Sequence, residues 1–256
     1  GGEGTDSITI TNSSAGTLTP AFTNIESAIV NTSTNFTLSL TTATDKTSLK
    51  TYTITSTDSG VADDITITDG ASGSTVTISD DSSWDGLAAA DDNGDIGAVK
   101  IGTTAGGDIT LNIAANEDAL THAATTFSST EITKSANVTI NSTNSDSNQV
   151  NNSLTSLKVD NAETQTISLV GNTNAGLVVG NINTASAAVS SLTFSTAANT
   201  ASTIGTMVTA TGLQTLDYSV TGGNTANSSS LGAGASYRIV VESTDTTSLS
   251  RSHTQS

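Results

Sequence analysis

The hexapeptide LTSLKV at Leu154–Val159 has near-equivalents at Val189–Phe194 (VSSLTF), Leu213–Tyr218 (LQTLDY) and, towards the start of the chain, Phe22–Ser27 (FTNIES). Each sets an apolar residue, two small polar residues, Leu or Ile and a polar residue in that order, and most close on another apolar residue. A unit of this size cannot bury its own apolar side chains. Stacking such units as coils of a solenoid solves the problem: strands pair in parallel, apolar residues line a narrow core, and Thr and Asn form ladders outside. The last three copies lie 35 and 24 residues apart, which implies coils of unequal length.

Working outward, short runs alternating apolar and polar residues fill much of the chain, as half-buried strands require. They include FTLSL (Phe36–Leu40), TYTITS (Thr51–Ser56), DITITD (Asp64–Asp69), TVTISD (Thr75–Asp80), AVKI (Ala98–Ile101) and DITLNI (Asp108–Ile113). NVTINS (Asn137–Ser142), SLKVDN (Ser156–Asn161), TISLVG (Thr166–Gly171), LTFS (Leu192–Ser195), LDYSV (Leu216–Val220) and RIVVES (Arg238–Ser243) continue the series. Gly, Asn, Asp and Ser separate them as turn formers. Three stretches, Thr19–Asn31, Ala115–Phe127 and Ser82–Asp95, carry apolar residues that suit helical caps or crossovers.

Composition agrees with strands. Fifty of the 256 residues are threonine, aromatics are 3%, and there is one proline. β-Branched residues fit a pleated surface, whereas disordered chains favour Pro, Lys and Glu. The expected fold is all-β: a right-handed parallel β-solenoid with a more irregular or sandwich-like N-terminal half. Residues 1–30 form a nonapeptide strand and short helix, 31–145 an acidic-loop β region, 146–245 the solenoid proper, and 246–256 a polar tail.

Charge narrows the function. There are 24 Asp and Glu against 7 Lys and Arg, a net charge of −17. A basic patch for nucleic acid or for an anionic membrane surface cannot be assembled from so few cations. Divalent cations are the natural partner, since Ca²⁺ relieves repulsion among clustered carboxylates. Residues 80–95 read DDSSWDGLAAADDNGD. Here Asp81, Ser83, Asp85 and Gly86 fall as in the first half of a calcium loop, and Asp92 takes its twelfth position. Asp91, Asn93 and Asp95 make a second alternating set, and Asp63, Asp64 and Asp69 a third acidic cluster. The opening GGEGTDSIT fits the β-roll nonapeptide G-G-x-G-x-D-x-U-x, with Asp6 as its ligand.

Catalysis is not expected. The two histidines, His122 and His253, have no cysteine partner in a chain that contains none, and no G-x-S-x-G surrounds a serine. Paired carboxylates for glycoside cleavage would want a groove with aromatic and basic residues, which this composition hardly supplies. The absence of cysteine also excludes a disulfide framework.

Gly1, Gly2, Gly4, Thr5 and Asp6, followed by Phe22, Ile25 and Glu26, resemble a segment of bacterial S-layer and RTX-type exoproteins. The resemblance implies a secreted, Ca²⁺-binding protein of the cell surface that assembles with copies of itself into a lattice or filament. The expected role is therefore structural, with itself as main partner, cell-surface glycans as a further one, and no membrane insertion. An adhesin stalk or ligand-binding module is the alternative, and a polysaccharide-active enzyme the third. The start within a motif implies a piece of a longer chain.

Overall fold

In TYTITS, Tyr52, Ile54 and Ser56 are buried while Thr51, Thr53 and Thr55 face outward. The same alternation runs through most of the molecule and fixes which side of each strand meets the core. The computed structural model describes residues 2–40, 47–57, 63–80, 95–115, 124–145, 150–159, 164–172, 174–184, 189–196, 203–208, 215–221 and 238–242.

The strands are β1 (Ser7–Asn12), β2 (Gly16–Leu18), β3 (Ser27–Thr32), β4 (Phe36–Ser39), β5 (Thr51–Ser56), β6 (Asp63–Gly70), β7 (Ser74–Asp80) and β8 (Asp95–Ala114). They continue as β9 (Thr126–Thr143), β10 (Val150–Val159), β11 (Thr166–Gly171), β12 (Ala175–Asn183), β13 (Ser191–Thr196), β14 (Thr203–Val208), β15 (Thr215–Thr221) and β16 (Arg238–Glu242). All belong to one sheet of 16 strands that winds as a parallel β-solenoid. One face runs β1-β3-β5-β7-β8-β9-β11-β13-β15-β16. The other runs β2-β4-β6-β8-β9-β10-β12-β14. The long strands β8 and β9 serve both, their first halves pairing on the second face and their last halves on the first.

Register shows why the period was hard to see. On the first face Thr51 pairs with Thr75, Thr75 with Thr110, Thr110 with Thr139, Thr139 with Ser168, and Ser168 with Thr193. These steps are 24, 35, 29, 29 and 25 residues, and the 35-residue step is the coil that contains the acid-rich loop. Of the four hexapeptides, only Val189–Phe194 and the described part of the last, Thr215–Tyr218, fall on neighbouring rungs, with Leu192 against Leu216 and Phe194 against Tyr218. Leu154–Val159 lies on the other face, so its interval of 35 to the next copy is not a coil length.

The core is made of apolar columns. Tyr52, Val76, Leu111, Ile140, Leu169 and Phe194 stack on the first face, opposed by Leu38, Ile67, Ile101, Ile132 and Val159 on the second. All are at most 1% exposed. Burying each large side chain contributes about 1.5–3 kcal/mol.

Among the described residues there is no helix. In Thr19–Asn31, Ser27 onward is strand β3, because Ala28 and Val30 fill the core while Ile29 is turned outward at 38% exposure. The described ends of Ala115–Phe127 are a strand end and the start of β9; the rest of it, and Ser82–Gly94, lie outside the described residues. The N-terminal half belongs to the same parallel sheet as the rest. Its irregularity takes the form of register shifts between β6 and β8 and within the β8–β9 pairing, around Gly102 to Asp108. There the chain turns a corner at Gly106, whose φ of +72° a side chain would resist.

Candidate functional site

At one edge of the first face, Asn12, Thr32, Ser56 and Asp80 occupy the same position on successive rungs. These are inward positions, in phase with the apolar residues before them. Hydrogen bonds run along this column. Asn12 Nδ2 donates to Thr32 Oγ1 at 3.1 Å, and Thr32 Oγ1 donates to the Thr34 carbonyl at 2.5 Å. Ser56 Oγ donates to Asp63 Oδ2 at 3.1 Å. Asp63 opens β6 and is 2% exposed; Asp80 closes β7 and is 3% exposed. Two carboxylates thus stand inside the same corner, one hydrogen-bonded to Ser56 and the other paired in register with it.

The acid-rich loop is anchored at this corner. It leaves β7 at Asp80 and re-enters at Asp95, the first residue of β8, and Asp63 pairs with Ile96 of that strand. Asp81, Ser83, Asp85, Asp91, Asp92 and Asn93 lie outside the described residues; the fold places the two ends of their loop beside Asp63 and Asp80. Among the described residues no three His, Asp or Glu side chains converge as a metal-holding group. The donors present are all oxygens, the ligand type hard cations such as Ca²⁺ take. A buried carboxylate demands a proton, a cation or several hydrogen bonds, because burial of an isolated charge costs several kcal/mol.

Of the two carboxylates in this corner, Asp80 and Asp63, reading for ligand spacing passed over the first and grouped the second with Asp64 and Asp69. Their signal is the strand period itself. In TVTISD the inward phase is Val76, Ile78, Asp80, and in DDITIT it is Asp63, Ile65, Ile67.

Asp6 lies elsewhere, half-buried on the first coil. Its Oδ2 accepts from the Gly2 amide at 2.6 Å, and its own amide donates to Glu26 Oε2 at 2.7 Å. The carbonyl of Asp6 receives the amides of Glu26 and Ser27, both at 3.1 Å. In this arrangement the residue ties the first coil to the second. Asp64 bridges rungs on the second face: its amide donates to Asn35 Oδ1 at 2.9 Å, and its Oδ1 accepts from the Ala98 amide at 2.7 Å. Asp69 pairs with Lys134 at 3.6 Å.

A second polar corner is fully satisfied. Asn152 is buried on β10, where its Oδ1 accepts from the Thr125 amide at 2.9 Å. Its Nδ2 donates to the Ile113 carbonyl at 2.8 Å, and to Ser142 Oγ and the Thr143 carbonyl, both at 3.1 Å. One amide therefore joins parts of three coils. No known family, curated protein or solved structure matches the chain.

Proposed function

We propose that this chain is a secreted structural protein that self-assembles into an extracellular surface layer or filament, with Ca²⁺ bound at the corner of Asp63, Asp80 and the loop 81–94. The observation that supports it most is the in-register parallel ladder of short-side-chained coils. Such a scaffold is held by contacts between neighbouring coils and extends by adding like units. Asp63 and Asp80 supply the reason for a cation: two buried carboxylates in a chain of net charge −17, flanking a loop rich in further oxygen ligands. Calcium there stiffens the coil with the 35-residue step and removes repulsion between copies.

Electron microscopy of the protein in Ca²⁺ and in chelator tests the reading. Ordered arrays or fibres in Ca²⁺ that disperse in chelator are expected, together with Ca²⁺-dependent melting that Asp80→Asn weakens. Unchanged monomers in both conditions would sink it. An adhesin stalk would instead remain monomeric while still melting in a Ca²⁺-dependent way.

A further inference from the structure

The two faces of the solenoid differ sharply in charge. On the first face, the outward positions form three columns across the rungs. The first runs Ser7, Ser27, Thr51, Thr75, Thr110, Thr139, Ser168, Thr193. The second runs Thr9, Ile29, Thr53, Thr77, Asn112, Asn141, Val170, Ser195 in the same registers. A third begins Thr11, Asn31, Thr55, Ser79. None of the described residues of these columns between Ser7 and Ser195 is charged; at the margin stand Asp108, whose Oδ1 accepts from Asn137 Nδ2 at 2.7 Å, and, one position before β3 and β5, half-buried Glu26 and exposed Lys50. The other face carries Asp64, Lys100, Glu131 and Lys158, the last three stacked on consecutive rungs with a Lys158–Glu131 ion pair of 3.0 Å.

We infer that the uncharged face of β1, β3, β5, β7, β8, β9, β11 and β13 is where a second copy of this chain packs, face to face. The inference rests on the self-assembly reading and adds to it a lateral contact distinct from stacking of coil ends. Charge supports this occupant. Two molecules of net charge −17 repel on approach, and this is the surface on which they meet without juxtaposing carboxylates. Shape supports it too. The side chains are short and of similar height, and Asn112 Nδ2 bonds Thr77 Oγ1 at 3.2 Å while Asn141 Nδ2 bonds Asn112 Oδ1 at 3.0 Å, which holds the surface in one arrangement. Eight strands spaced about 4.8 Å apart, each presenting roughly five residues of about 3.3 Å, give on the order of 600–700 Å² in projection. Side-chain relief brings that close to the roughly 800 Å² per partner that a stable interface buries. Threonine methyls provide the apolar part of the contact, and the two sheets would lie about 10 Å apart.

The test is sedimentation of the whole protein over a range of concentrations, in Ca²⁺ and in chelator. The variants are Thr53→Glu with Thr139→Glu, the same two sites changed to Lys, and Thr66→Glu on the charged face as control. The expected result is concentration-dependent association of the unaltered protein, weakened at least 100-fold in the double-Glu and double-Lys variants. An equimolar mixture of those two variants should recover association, because each then faces its opposite. Recovery also shows that both are folded. Thr66→Glu should stay within about twofold. Association unaffected by the face substitutions would overturn the inference and leave self-assembly standing. Failure of the unaltered protein to associate under any condition would overturn both.

Discussion

A single hydroxyl can decide how well a thin core is made. Thr130 is 1% exposed in the column Val99–Thr130–Leu157, and its Oγ1 has no hydrogen-bond partner. A buried hydroxyl without a partner carries its desolvation cost uncompensated. Thr130→Val keeps the shape and removes the hydroxyl, so it is expected to stabilise the protein by roughly 1–2 kcal/mol, read as a higher urea midpoint at unchanged slope. A lower midpoint would show that the hydroxyl is satisfied in solution. Tyr52 illustrates the opposite case. Its hydroxyl donates to the Leu49 carbonyl at 3.1 Å, and burial pushes its pKa up from 10.0 to about 12, partly offset by a hydrogen bond with Ser74. A raised phenol pKa contributes stability that is complete below the unfolded value and is lost as pH climbs through the folded one. The loss therefore falls between 10.0 and about 12. Near pH 9, Tyr52→Phe should cost about 1 kcal/mol for the lost bond; above pH 12 the variant should be the more stable of the two. Chemical unfolding at both pH values checks this, and a constant difference between them would refute it. At this scale, much was legible before any fold was known: Asp80 and Asp63 sit on the inward phase of plain period-two strands. Reading for ligand spacing looked past Asp80 to Asp81 and its neighbours, and grouped Asp63 with Asp64 and Asp69 instead. The closure of Asn152 by Ile113, Ser142 and Thr143 was not legible, because those partners come from other coils.

Strand type was legible wherever the alternation is strict, as in Thr51–Ser56 and Ser74–Asp80, and failed where geometry breaks it. In β9 the outward residues Ser128 and Ser129 are adjacent, as are Thr155 and Ser156 in β10. The registers place both pairs at the same point of successive rungs, next to Gly180 of β12. A stacked irregularity of this kind erases the period-two signal from all three strands at once; the first half of β9, the start of β10 and all of β12 went unread for that reason, while β4, β6 and the first half of β8 were legible on the same face. Strand β3 failed differently: Phe22, Ile25, Ala28 and Ile29 happen to fall at helical spacing, and only pairing with β1 and β5 shows that the last two lie on opposite sides. The irregularity has a steric requirement. A Cβ on Gly180 would stand 2.5 Å from the Thr155 carbonyl oxygen, a backbone atom with no freedom to swing away. Gly180→Ala must therefore displace β12 from β10 and is expected to cost about 1–3 kcal/mol. Gly73→Ala serves as contrast: nothing lies within 4 Å, and only its positive φ of +77° resists the change. Thermal melting of the two variants separates a clash from backbone strain. If Gly180→Ala melts no lower than Gly73→Ala, the close approach is not rigid.

Across the whole molecule, the solenoid architecture was legible from the recurrence of apolar residues in Thr-rich strands, while the period was not, because coil lengths vary from one rung to the next. That variation is tolerated because each coil answers only to its neighbours, which has a consequence for unfolding. In a stack held by nearest-neighbour contacts, the response to a lost side chain depends on where the coil sits. Ile140 is fully buried between Leu111 and Leu169, whereas Ile10 is half-buried on the first coil and stacks on Val30 alone. Each truncation to alanine removes part of a core column, about 2–5 kcal/mol for a fully buried isoleucine and less at the first rung. Ile140→Ala weakens the junction that couples the two halves, so hydrogen exchange should rise on both sides of β9 and the melt should broaden or split. Ile10→Ala should raise exchange in β1 and β3 alone and leave the main transition where it was. Exchange that rises uniformly along the chain in both variants would mean that the coils unfold as one cooperative unit, against the nearest-neighbour picture on which end-to-end growth of an assembly also depends.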